Sequence, residues 1–119
     1  MKYLAIILMA AAAPAMAQKG PSFPCSKATT TTERTICAVP RLAAMDEALA
    51  SAYRSAGASD IGAGADRAMR SSQRKWLRAR DACGADVACI EASYRARADD
   101  ICGIPVITGV HWHCAEMPD

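Results

Sequence analysis

The sequence predicts an all-α protein: a small, disulfide-linked bundle of about four helices in antiparallel hairpins, with an irregular C-terminal tail. Apolar residues recur at helical spacing through most of the chain after residue 30. Alanine and arginine, which favour helices, are frequent, whereas valine and isoleucine are sparse in the mature chain before the tail. The six cysteines are an even number in a short chain, which is typical of an exported domain held by disulfides.

Residues 1–17 have the features of a signal peptide and are predicted to be removed. Lys2 is a short positive region, Leu4 to Ala13 are apolar, and Ala15-Met-Ala17 is a small-x-small cleavage sequence. The apolar segment is too short to span a membrane, and no cysteine follows the cleavage site to carry a lipid. The mature chain, from Gln18, is therefore expected to be periplasmic or secreted, without a membrane anchor.

The mature chain, residues 18–119, is long enough for one domain with a modest core. Without Lys2 it has 13 basic and 12 acidic residues, a formal charge of +1. Because this charge gives no long-range attraction for nucleic acid, we predict no nucleic-acid partner.

Two helices are predicted after an N-terminal arm, residues 18–28. Thr30 and Glu33 have the spacing of a capping box that opens a short first helix, which ends before Pro40. Pro40 fits the first turn of the second helix. The apolar stripe of this second helix consists of Leu42, Met45, Leu49, Ala52, Tyr53 and Ala56.

A glycine-containing linker, residues 57–64, is long enough to reverse the chain, so the helices on either side are expected to be antiparallel neighbours. The inward face of the third helix consists of Ala65, Met69, Gln73, Trp76 and Arg80. Its opposite face is basic and consists of Arg67, Arg70, Arg74, Lys75 and Arg78. No aromatic residues are interleaved with these cations, so we interpret the basic face as solvated.

A fourth helix is predicted after Asp86, which is placed as its N-cap. Its apolar seam consists of Val87, Ile90, Tyr94, Ala98 and Ile101. Gly103 suits the residue after the helix, and Pro105 blocks its continuation. The tail, residues 104–119, has no helical period.

The cysteines are expected to form local disulfides, one scheme among 15 possible connectivities. Each bridge would close a short loop between a helix end and the neighbouring irregular segment. The predicted pairs are Cys25 with Cys37, Cys83 with Cys89, and Cys102 with Cys114. The turn through Gly84 brings Cys83 and Cys89 within the ~4.4 to 6.8 Å Cα range that a bridge needs.

Two charged residues fall on the inward sides of their helices. At about 100° per residue, Asp46 lies in the seam of the second helix and Arg80 in that of the third. Buried charges are costly when unpaired, so we predict an ion pair between them. The Tyr94 hydroxyl, the Trp76 indole N–H or Gln73 would fill the remaining bonds. The alternative is an acidic site for a ligand.

One ordered set of residues runs through most of the mature chain: Cys25, Cys37, Leu42, Asp46, Leu49, Tyr53, Met69, Gln73, Trp76, Arg80-Asp81, Cys83, Cys89 and Tyr94. This set resembles the LprI-like lysozyme-inhibitor N-terminal domain family. The resemblance covers roughly residues 22–101. It implies a small, cysteine-linked helical domain of the bacterial envelope that inhibits host lysozyme. The tail with Cys102 and Cys114 lies outside the family pattern.

Two functions follow: inhibition of lysozyme by protein–protein contact, or a structural or adaptor role in the envelope without lysozyme binding. The sequence has no recognisable order of Ser, His and Asp for a catalytic triad and no glycine-rich phosphate-binding loop. We therefore predict that the protein is not an enzyme and binds no cofactor. His111, His113 and Cys114 could supply metal ligands. Three ligands in one short cluster, one of them in an expected disulfide, do not predict a metal site.

The predicted contact with lysozyme is the tail tip, His111, Trp112 and His113. The lysozyme cleft holds two carboxylates, so a cationic or hydrogen-bonding tip backed by an aromatic ring would suit it. Trp112 is expected to be exposed or half-buried and to anchor the interface, whereas Trp76 is expected in the core. The alternative surface is the basic face, with Arg70, Arg74 and Arg78 as its candidate contacts.

Overall fold

The computed structural model describes residues 20–114 and 116–119, and these residues form four α-helices. They are α1 (Thr31–Ala38), α2 (Pro40–Ala58), α3 (Ala63–Asp81) and α4 (Val87–Cys102). A single 3-10 turn, Cys25–Lys27, precedes them. The predicted all-α, disulfide-linked fold is confirmed. The predicted signal peptide, residues 1–17, lies outside the described residues. None of the described helices is both long and apolar enough to cross a bilayer.

The start of α1 has the predicted capping box. The Thr30 hydroxyl accepts a hydrogen bond from the Glu33 amide at 3.0 Å, and Glu33 Oε1 accepts one from the Thr30 amide at 3.1 Å. Burial works against ionisation of Glu33, but hydrogen bonds from Thr30 and Thr29 outweigh it and lower the pKa of Glu33 below 4.5. The box therefore satisfies two amides that the helix itself leaves free.

Replacing Thr30 by alanine is expected to lower the free energy of unfolding by about 1 kcal/mol, the usual effect of losing an N-cap side chain. Urea unfolding at pH 7 would measure it.

Folding lowers the pKa of Glu33, so the ionised carboxylate stabilises the fold at any pH above the pKa that Glu33 has in the unfolded chain. This stabilisation is lost as the pH falls through the lowered pKa of the folded state. Glu33→Gln should therefore cost more at pH 7 than at pH 3, and an equal cost at both would contradict this account.

The core lies between α2 and α4. The apolar residues that these two helices bury are Leu42, Ala43, Met45, Leu49, Ala52, Ala56, Ile90, Tyr94, Ala98 and Ile101. In contrast, α3 buries only Met69 and Arg80. The other members of its predicted inward face, Ala65, Gln73 and Trp76, are half-buried. Most of α3 therefore lies at the edge of the bundle.

The helices α2 and α3 run antiparallel, because Met69 lies beside Gly57 at one end and Arg80 lies near Asp46 at the other. Their direct packing is slighter than the sequence predicted, since both pack mainly on α4. Helix α4 also forms side-chain hydrogen bonds to both helices: Tyr94 donates to Asp46 of α2, and Arg97 donates to Gln73 of α3.

Three disulfides tie the helix ends to their neighbours. The pairs are Cys25–Cys37, Cys83–Cys89 and Cys102–Cys114, with Cα–Cα distances of 5.9, 5.6 and 6.0 Å. These are the pairs of the sequence-based scheme, and the described chain has no free cysteine. Disulfides are typical of an extracytoplasmic location.

Candidate functional site

The segment between Cys102 and Cys114, here called the tail loop, is irregular and largely exposed. The disulfide closes it at its two ends. In its middle, the Ile107 amide donates to the Asp60 carbonyl at 2.7 Å, and the Thr108 hydroxyl donates to the Asp60 carboxylate at 2.6 Å. The loop is therefore held against the linker between α2 and α3 as well as at its ends.

Two large apolar side chains of the tail loop face solvent. Ile107 is 67% exposed and Val110 is 92% exposed. Within the described residues the only other exposed large apolar side chain is Leu77 of α3, at 36%. Sequence reasoning did not select Ile107 and Val110, although an apolar run in an irregular segment after the last helix was a signal that could have found them.

The predicted tip residues do not all project. Trp112 is half-buried and packs on the core, and the His111 ring stacks on it with centroids 3.9 Å apart. His111 Nδ1 lies 2.8 Å from the Trp112 carbonyl oxygen, and Nε2 lies 3.0 Å from that of Ile104. His111 is therefore occupied within the loop, whereas His113 is exposed and free to contact a partner.

The Trp112 indole nitrogen is cut off from solvent and has no hydrogen-bond partner among residues 20–114 and 116–119. A buried indole N–H usually finds an acceptor. Because Trp112 is half-buried and packs on the core, its side chain is not the outermost point of the loop.

The basic face is exposed along its whole length. Its members, all solvent-accessible, are Arg67, Arg70, Arg74, Lys75 and Arg78. Arg70 Nε donates to Asp66 Oδ2 at 2.9 Å, and this bond raises the pKa of Arg70. One of the three candidate contacts on this face is therefore already partnered within its own helix.

Asp46 and Arg80 are both buried, but their direct contact is long. Arg80 Nη1 lies 3.9 Å from Asp46 Oδ1. The Tyr94 hydroxyl lies between them: it accepts from Arg80 Nη1 at 3.1 Å and donates to Asp46 Oδ1 at 2.7 Å. The charges are therefore joined by a tyrosine bridge, with a longer direct ion pair beside it.

Two further residues, Ser22 and Asp81, complete this network, and sequence reasoning assigned neither of them a role in it. The Ser22 amide and hydroxyl donate to Asp46 Oδ2 at 2.7 and 2.6 Å. Arg80 Nε and Nη2 donate to Asp81 Oδ1 at 3.0 and 2.8 Å. Both carboxylate oxygens of Asp46 are thus bonded to protein groups, which favours a structural role over a ligand site.

Two side chains expected in this network bond elsewhere. Trp76 Nε1 donates to the Ser93 carbonyl at 3.0 Å, and Gln73 Oε1 accepts from Arg97 at 2.8 Å. Of the three predicted alternatives for these bonds, the Tyr94 hydroxyl is the one that the structure shows. Trp76 still contributes through its ring, whose centroid lies 5.7 Å from the Arg80 guanidinium.

Burial, the negative charge of Asp46 and the hydrogen bond to it raise the pKa of Tyr94. Burial works against the charge of Arg80, but Tyr94 and Asp81 outweigh it, so the pKa of Arg80 is raised. Tyr94 and Arg80 therefore both keep their protons at any physiological pH.

Within the described residues, no group of three or more His, Cys, Asp or Glu side chains is arranged to hold a metal ion. Cys114 is in a disulfide. The cluster at His111, His113 and Cys114 therefore does not offer a thiolate.

A family model described as lysozyme inhibitor LprI matches residues 25–103. No match was found among curated proteins or among solved structures. The matched segment runs from the first cysteine to the residue after α4, so it contains all four helices and the network of Asp46, Tyr94 and Arg80. It ends where the tail loop begins. Because the match covers well over half of the chain, this chain belongs to the LprI lysozyme-inhibitor family.

Proposed function

We propose that the mature protein is exported to the periplasm or secreted, and that it binds lysozyme and inhibits it by protein–protein contact, without catalysis or a cofactor. The observation that carries the proposal is the family match across all four helices. The three disulfides support an oxidising compartment. The predicted signal peptide, residues 1–17, would provide the route of export.

The tail loop is the proposed contact surface. A loop held by the Cys102–Cys114 disulfide and by Asp60 loses little conformational freedom on binding, which leaves more of the contact energy for affinity. Ile107 and Val110 provide apolar side chains that a partner would cover. His113, which is also exposed, can donate a hydrogen bond to a carboxylate of the lysozyme cleft.

The basic face is less suited to this partner. Lysozymes are commonly basic proteins, so a contact through these arginines would bring like charges together, which costs binding energy. The mature chain, at a formal charge of +1, also has no net field to steer the encounter. A short-range, mainly apolar contact through the tail loop avoids both difficulties.

A lysis assay tests the function. Purified mature protein at a near-stoichiometric ratio is expected to slow the clearing of a cell-wall suspension by lysozyme. Unchanged clearing at several-fold molar excess over each lysozyme tried would contradict the proposal and favour a structural or adaptor role in the envelope.

Replacing Val110 by aspartate tests the contact surface. Val110 is almost fully exposed, so the fold should tolerate the change, whereas a charge facing an apolar patch of lysozyme would lose its hydration without a partner. We expect at least a tenfold weaker inhibition, about 1.4 kcal/mol, with an unchanged melting temperature.

Arg74→Glu on the basic face is the matched control, because it changes another exposed residue. It should leave inhibition unchanged. If Arg74→Glu weakens inhibition and Val110→Asp does not, the contact lies on the basic face. Trp112 is a poorer choice for this test, since it packs on the core and its replacement would also lower stability.

A further inference from the structure

Arg97 of α4 is a buried cation whose bonded partners are all neutral. Only 5% of it is exposed. Its Nε donates to Gln73 Oε1 at 2.8 Å, and its Nη2 donates to the Met69 carbonyl at 3.2 Å and the Ser72 hydroxyl at 3.1 Å. Within the described part of the chain it forms no salt bridge. Arginine is seldom buried without an anionic partner.

The third guanidinium nitrogen, Nη1, has no hydrogen-bond partner among the described residues, and it is not sealed from solvent. Burial lowers the pKa of Arg97, and the nearby charge of Asp100 offsets this only in part. The charge therefore has no anionic bonding partner among the described residues, and the two N–H groups of Nη1 are left without a protein acceptor.

Arg97 is one of the residues that line an open groove of about 670 Å³ between α3, the end of α4 and the start of the tail loop. This volume is within the range of about 300 to 1,000 Å³ that is usual for small-molecule sites. The apolar side chains along the groove are Ala65, Ala68, Met69, Ile101, Ile104 and Pro105. The acidic residues Asp99 and Asp100 also border it, and both are exposed.

We propose that this groove binds a small apolar monocarboxylate of the fatty-acid type, with its carboxylate on Arg97 Nη1 and its chain along α3 and Ile104. A carboxylate supplies the anionic acceptor that the buried guanidinium lacks, and the small side chains of Ala65 and Ala68 leave room for an aliphatic chain. Asp99 and Asp100 disfavour a ligand with more than one negative charge, such as a phosphate ester. The site does not depend on lysozyme binding.

Calorimetric titration of the mature protein with octanoate tests this site. We expect saturable binding, and at least tenfold weaker binding of 1-octanol, which lacks the carboxylate, and of acetate, which lacks the chain. Octyl phosphate should also bind at least tenfold more weakly than octanoate. Failure of octanoate to bind, or equal binding of octanoate and 1-octanol, would overturn the proposal.

Two variants locate the site. Arg97→Gln removes the charge and should weaken octanoate binding at least tenfold. Since this change also removes bonds to α3, Ala68→Trp provides a second variant: Ala68 is exposed, so its replacement would fill the groove and leave Arg97 in place. Ala68→Trp should abolish octanoate binding without changing the melting temperature, and unchanged binding would show that octanoate binds elsewhere and overturn the assignment.

Discussion

Replacing Asp46 by alanine is expected to lower the free energy of unfolding by about 3 kcal/mol, at the lower end of the roughly 3 to 5 kcal/mol for breaking a buried ion pair. The change removes the acceptor of the Tyr94 hydroxyl and both bonds to Ser22. It also leaves the buried Arg80 with one carboxylate in place of two. The lower end applies because Asp81 keeps its two bonds to Arg80.

Urea unfolding at pH 7, followed by circular dichroism, measures this loss. The matched control is Asp66→Ala, which breaks a 2.9 Å bond to Arg70 on the exposed face of α3. Such surface pairs within one helix contribute only about 0.3 to 0.5 kcal/mol. If Asp46→Ala costs no more than Asp66→Ala, the tyrosine-bridged network does not stabilise the fold in the way described.

Tyr94→Phe tests the contribution of the bridging hydroxyl separately from that of the charges of Asp46 and Arg80. It removes the hydroxyl but keeps the ring that packs on Trp76 with centroids 5.1 Å apart. In a double-mutant cycle with Asp46→Ala, the two losses should be strongly non-additive, because both variants break the same hydrogen bond.

Features that depend on local sequence were predictable from it. The capping box at Thr30 and Glu33 follows from spacing alone, and Asp86 caps α4 by accepting from the Cys89 amide at 3.1 Å. The helical period alone also places the side chains of Asp46 and Arg80 on the inward faces of their helices. These features need only neighbours within one or two turns, so no knowledge of the packing was required.

Several of the missed features depend on residues distant in sequence. Ser22 reaches Asp46 across 24 residues from an irregular arm, and Asp60 holds the tail loop at Thr108, 48 residues away. Neither segment has a period that fixes the direction of a side chain. The slight packing of α2 on α3 could not be foreseen either, because a hairpin linker sets direction but not distance.

Arg97 is a different case, because its signal was present. It lies three residues after Tyr94 and four before Ile101, which are both buried, and therefore on the inward side of α4. A cation at the border of an apolar seam normally extends its charge into water. Here the inward orientation is maintained by Gln73, Met69 and Ser72 of α3, which no pattern within α4 could indicate.

The family match and the proposed contact surface lie in different parts of the chain. The match ends at residue 103, and the tail loop follows it. The helices therefore account for the shared fold, while the loop is a feature of this chain's own tail that the helices position. Inhibition through the loop would then depend on how firmly the chain after α4 is held.

Removing the disulfide between Cys102 and Cys114 by replacing both residues with alanine is expected to weaken lysozyme inhibition by roughly ten- to a hundredfold. Opening a loop of this length frees about 3 kcal/mol of chain entropy, and binding would have to order it again. At 1.4 kcal/mol per tenfold change this corresponds to about a hundredfold. The bonds to Asp60 retain part of the order, so a hundredfold is the upper limit.

Dose–response curves in the lysis assay measure this effect, and removal of the Cys83–Cys89 disulfide is the matched control. That bridge lies at the opposite end of α4 from the tail loop. Its loss should lower the melting temperature but leave inhibition by the folded protein unchanged. The Cys102–Cys114 variant should weaken inhibition, and its melting temperature should fall as well, because Trp112 of the tail loop packs on the core. Equal loss of inhibition in both variants would mean that overall stability, rather than the ordered tail loop, determines binding.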